Sequence, residues 1–112
     1  MIEEIVLGHL LETMECQVYM ETPERNAPAE YILLEKTGSS NENMITTSTF
    51  AVQSISTSML GAAKLNETMK AAMSTLIEHD SIARCKLDSD YNYSDPETTK
   101  YRYQAVYDIT YY

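Results

Sequence analysis

Ala83-Arg84-Cys85-Lys86-Leu87-Asp88-Ser89-Asp90-Tyr91-Asn92-Tyr93 and Tyr101-Arg102-Tyr103-Gln104-Ala105-Val106-Tyr107-Asp108-Ile109-Thr110-Tyr111 decide the fold class. Both runs alternate with a period of two, the signature of strands with one face turned to a core. In the first, Ala83, Cys85, Leu87, Ser89, Tyr91 and Tyr93 point one way, opposite Arg84, Lys86, Asp88, Asp90 and Asn92. In the second, Tyr101, Tyr103, Ala105, Tyr107, Ile109 and Tyr111 share the face opposite Arg102, Gln104, Val106, Asp108 and Thr110. Ser94-Asp95-Pro96-Glu97 between them is rich in turn formers, so the two runs predict a C-terminal β-hairpin.

Upstream, Met59, Ala62, Ala63, Leu65, Met69, Ala72, Met73 and Leu76 form an apolar stripe at helical spacing, predicting a helix over about Ser58 to Glu78. Ser56, Thr57 and Ser58 offer N-caps for it. Met44 to Ile55 is rich in Thr, Ile, Val and Phe and predicts a long strand, whose imperfect alternation leaves room for a bulge. Thr37 to Asn43 is a polar connection dense in turn formers, and Tyr31 to Lys36 is an apolar run of strand length, read as a central strand covered on both faces. Glu21 to Ala29 carries two prolines without periodicity and reads as a loop. Gln17 to Met20 is a short strand, and residues 3–14 a short helix in which Gly8 is either a weak point or a close packing point. The order α-β-β-β-α-β-β predicts a single α+β domain over 1–112, a mainly antiparallel or mixed sheet with two helices on one face.

Composition narrows the function. The chain has 112 residues, 8 Lys plus Arg against 17 Asp plus Glu, and a net charge of −9. Eight of the acidic residues and one basic residue (Arg25) fall within residues 1–35. Such a surface argues against binding nucleic acid by phosphate neutralisation. No run approaches the ~18 apolar residues of a membrane span, and the acidic start Met1-Ile2-Glu3-Glu4 predicts no export signal. Cys16 and Cys85 lack metal-site spacing and read as reduced, partly buried thiols. Asp88-x-Asp90-x-Asn92 opens like a calcium loop but lacks its glycine and its closing glutamate, and a strand would hold these residues in a straight row. His9 and His79 have no nucleophile and orienting group placed with them, and the three glycines form no phosphate loop. The expectation is a protein without catalytic residues, metal or cofactor.

The marked feature is tyrosine: Tyr91, Tyr93, Tyr101, Tyr103, Tyr107, Tyr111 and Tyr112 fall on or beside the hairpin. These rings either cover the core or make protein–protein contacts, for which tyrosine combines large area with a polar end. Tyr111 and Tyr112 point to opposite strand faces, so one ring is expected to be exposed unless a partner covers it. Glu12, Glu15, Glu21 and Glu24 flank the first helix and the proline loop. They are read either as an acidic collar repelling DNA phosphates or as an ordinary solvated face.

Tyr31-Ile32-Leu33-Leu34-Glu35-Lys36-Thr37-Gly38, Thr49-Phe50-Ala51-Val52-Gln53-Ser54, Ala62-Ala63-Lys64-Leu65-Asn66, Leu87-Asp88-Ser89-Asp90-Tyr91-Asn92-Tyr93 and Tyr101-Arg102-Tyr103-Gln104-Ala105-Val106-Tyr107 together resemble the tail-terminator (tail-completion) proteins of long-tailed bacteriophages and prophages. The likeness is nearest to the short versions from phages of Gram-positive hosts. The resemblance implies a homohexameric ring that caps the tail tube, stops its polymerisation and meets the head–tail connector protein. It also implies a place at the head-proximal end of the virion tail, with assembly in the host bacterial cytoplasm. Partners so implied are other copies of the chain, the tail tube protein and the connector, with no membrane and no sequence-specific nucleic acid. A head-completion or connector component, and a host cytosolic α+β domain binding a ligand or regulating a partner, are the alternatives.

Overall fold

A computed structural model describes residues 1–23, 25–94 and 100–112. The first helix, α1, spans Ile2–Thr13; strand β1 is Gln17–Tyr19, β2 Tyr31–Glu42 and β3 Ile45–Ser56. Helix α2 covers Met59–Ser74 and passes into a 3₁₀ turn over Leu76–Glu78, and β4 (Ile82–Asn92) and β5 (Tyr101–Tyr111) complete the fold. The order α-β-β-β-α-β-β is that expected from sequence. The five strands form one sheet, ordered β1-β2-β3-β5-β4, parallel between β1 and β2 and antiparallel elsewhere.

Both helices lie on one face of this sheet and share its core. Ile2, Val6 and Leu10 of α1 and Met69, Ala72 and Met73 of α2 meet Ile32, Leu34, Phe50, Val52, Ala105, Tyr107 and Ile109. The strand residues are alternate positions, as a single packed face requires. Ser58 caps α2, its side chain accepting from the Gly61 N–H at 3.0 Å. His9 joins the helices: its Nε2 donates to the Ala72 carbonyl at 2.8 Å and lies 2.9 Å from Thr75 Oγ1.

Three expectations need correction. Residues 37–43 are not a connection. β2 continues to Glu42, held by its backbone pairing with β3, and the turn is Asn43-Met44, both with positive φ (52° and 66°). This is the twist that two-residue hairpins favour, although Met is a bulky residue for that conformation. The bulge for which the β3 sequence left room lies on its partner, between Lys36 and Gly38.

Second, the cover expected on both faces of residues 31–36 holds from Tyr31 to Leu34 and ends there: Glu35 and Lys36 are exposed, as is the rest of β2 to Glu42. Third, the even alternation read along 83–93 is broken by bulges between Ile82 and Arg84 and between Leu87 and Ser89. An extra residue flips every side chain beyond it. Cys85 and Leu87 face the helices, but past the second bulge it is Asp90 that pairs with Ala105 on that face, while Tyr91 pairs with Gln104 on the other. Of the expected turn at 94–97, all but Ser94 lies outside the described residues. β5 runs without interruption and keeps its alternation, with Ala105, Tyr107 and Ile109 buried.

Candidate functional site

The face of the sheet away from the helices is a polar ladder. Gln53 Nε2 donates to Gln104 Oε1 at 2.8 Å, and Gln104 donates in turn to the Tyr91 hydroxyl, so one row joins β3, β5 and β4. Arg102 Nη1 donates to Gln53 Oε1 at 3.1 Å. Below this row Thr49 donates to Asp108 at 2.9 Å, and the Thr47 and Thr110 hydroxyls meet at 3.0 Å. On β4, Arg84 and Lys86 flank a shallow depression floored by Thr47, Asp108 and Thr110.

The tyrosines divide between the two faces. Tyr91 and Tyr93 stand exposed on the ladder face, packed edge to face with ring centroids 5.9 Å apart. Tyr107 is buried under the helices, Tyr103 is half-buried, and Tyr111 sets its hydroxyl 2.9 Å from Ser48 Oγ. Tyr101 is exposed at the start of β5, and Tyr112 is 84% exposed. The pair outside the hairpin escaped the reading of the sequence. Tyr19 and Tyr31 come together edge to face at 5.7 Å, and Lys100 Nζ lies 4.9 Å from the Tyr31 ring centre. Their spacing in sequence carries no signal, because only the β1–β2 pairing makes them neighbours.

The acidic residues do not gather into one described site. Glu12 borders a depression beside His9 and His79, whereas Glu15 borders a separate groove of about 610 Å³ between the ends of α1 and α2, with Cys16, Glu30 and Lys64. Glu21 is exposed, and Glu24 lies outside the described residues. Asp88-x-Asp90-x-Asn92 forms no ion cradle: Asp88 is exposed, while Asp90 turns inward to Asn66 and Lys70. Among the described residues no three His, Cys, Asp or Glu side chains are grouped to hold a metal, and no helix is long and apolar enough to cross a membrane.

Burial pushes the Cys85 thiol up to about 11 and the Tyr107 phenol up to about 12. The hydrogen bonds that Lys70 donates to Asp90 and Glu67 raise its pKa above the usual lysine range. All three pKa values are higher folded than unfolded. The stability each contributes is therefore complete below its unfolded pKa and is lost as pH rises through the folded one. Thermal melts are expected to be level on this account up to about pH 9 and to fall progressively from there to beyond pH 12. The same burial should slow alkylation of Cys85 at pH 8 on the order of a hundredfold relative to a free thiol. Equal reactivity would mean that Cys85 is open to water.

No family model matches the chain, and no curated protein matches its sequence.

Proposed function

We propose that the protein is a non-enzymatic structural subunit of a phage virion, a tail terminator. Six copies form a ring that caps the tail tube, ends its polymerisation and joins the tail to the head–tail connector, at the head-proximal end of the tail. The observation that carries this reading is a sheet left open at both sides. Beyond Leu33 the outer edge of β2 has no partner strand among the described residues, nor has the outer edge of β4. An edge without a partner strand offers unpaired N–H and C=O groups to another chain. The helix-and-strand order and the five segments that resemble tail terminators support the same reading. The exposed Glu12, Glu15 and Glu21 then serve either the channel or the outer wall of the ring.

The test is to polymerise the tail tube protein with and without this chain and to image the products. Tubes of limited length bearing a sixfold ring at one end are expected. Tubes that lengthen equally in its presence, with no ring attached, would overturn the assignment.

A further inference from the structure

We propose that, in the ring of the preceding section, the outer edge of β4 in one subunit pairs antiparallel with the outer edge of β2 in the next. The inference rests on that ring reading and names the surfaces that build it.

Strand direction comes first. β2, β3, β5 and β4 alternate in direction, so β2 and β4 run opposite ways at the two sides of one sheet. Any repeat that keeps strand direction therefore brings β4 against the neighbour's β2 in antiparallel sense, the more stable of the two pairings.

The level of the free segments agrees. Bulges interrupt both edges, and among the regular stretches they leave are Arg84–Leu87 on β4 and Gly38–Glu42 on β2. These stretches lie at the same height, in rows running Gly38–Thr49–Asp108–Lys86 and Ser40–Thr47–Thr110–Arg84. A copy displaced sideways along the sheet sets Arg84 opposite Ser40 and Lys86 opposite Gly38. A Cβ at Gly38 would meet nothing within 4 Å, so the face above Gly38 is open to the incoming Lys86 side chain.

Charge selects the partner. The exposed Arg84 and Lys86 make no ion pair among the described residues, nor do the exposed Glu35 and Glu42. Glu42 lies two residues beyond Ser40 on the ladder face, diagonal to the incoming Arg84 and within reach of a long side chain. Twofold pairing of like edges is disfavoured: β2 on β2 about residues 38–39 opposes Glu35 to Glu42, and β4 on β4 about Cys85 opposes Arg84 to Lys86. The complementary contact is thus heterologous, the kind that closes into a ring or runs on as an open chain according to the rotation between subunits.

Charge reversal tests this on the whole chain, because all the substituted side chains are exposed and the fold can be checked by circular dichroism. Native mass spectrometry and sedimentation are read for wild type, Glu42→Arg, the double variant Arg84→Glu with Lys86→Glu, and the triple combination. Either reversal alone is expected to weaken assembly at least tenfold, and the triple variant to restore it. A ring that survives both reversals overturns the edge pairing and leaves the ring reading standing. Rescue that yields open chains upholds the pairing and overturns the closed ring. A wild type that stays monomeric up to millimolar concentration overturns both.

Discussion

Replacing Asp90 by alanine is expected to cost the fold about 2–3 kcal/mol, while the same change at Asp88 costs less than about 0.5 kcal/mol. The two residues share a strand and, by simple alternation, a face. The bulge after Leu87 separates them: Asp88 stays in water, and Asp90 meets α2. There Asn66, only 2% exposed, donates to Asp90 Oδ1 at 2.7 Å, and Lys70 reaches Oδ2 at 2.6 Å. Asn66 Oδ1 already lacks a partner among the described residues, so removing Asp90 strands both ends of a buried amide. The Lys70 contact adds less, because both side chains remain about a quarter exposed and Lys70 keeps Glu67 at 2.8 Å. Asp90→Asn, which retains an acceptor for Asn66, should lose less than the alanine variant. Urea midpoints decide it, and equal losses at positions 88 and 90 would mean that β4 runs without its bulge.

Two glycines on the helices are expected to respond to alanine with opposite signs. Helix propensity alone favours alanine at both by about 1 kcal/mol. At Gly8 an added Cβ meets nothing within 4 Å, so Gly8→Ala should gain about 0.5–1 kcal/mol. At Gly61 the added atom would overlap Ser56 Oγ and stand 2.9 Å from Ser58 Oγ and 3.3 Å from Ser56 Cβ. Ser56 is buried at the end of β3 and has little room to turn, and Ser58 is the residue that caps α2. Crowding and a disturbed cap outweigh propensity, for a net loss of about 1–2 kcal/mol. A Gly61→Ala variant more stable than wild type would show that the serines yield freely.

The elements read correctly from sequence are those with one buried face. β5 announces itself because Ala105, Tyr107 and Ile109 alternate with residues of the ladder, and α2 because Met69, Ala72 and Met73 recur on its packed side. The outer half of β2 escapes because neither of its faces is buried. Thr37-Gly38-Ser39-Ser40-Asn41-Glu42 has no apolar residue to mark a period, and backbone pairing with Ile45–Thr49 holds it extended. The β4 bulge escapes for a related reason: Asp88-Ser89-Asp90 carries nothing apolar to report which way each side chain turns. The tyrosines stand out in composition, but their division between the two faces does not, because the β4 bulge turns Tyr91 and Tyr93 to the ladder face. Strand order was not legible at all: β5 lies between β3 and β4, leaving β4 and not β3 at a margin.

The insertion of β5 between β3 and β4 also governs timing during synthesis. It is the last of the five strands to leave the ribosome, yet it occupies an interior place in the sheet. Until Ala105–Ile109 emerges, Phe50 and Val52 lack a neighbour on that side and β4 has no strand to lie against. Pairings between residues so far apart in sequence form late in folding. The β4 margin is therefore created only when the sheet closes, and a stalled or shortened chain cannot offer it. Incorporation into a ring through that margin would select finished molecules and leave nascent ones behind.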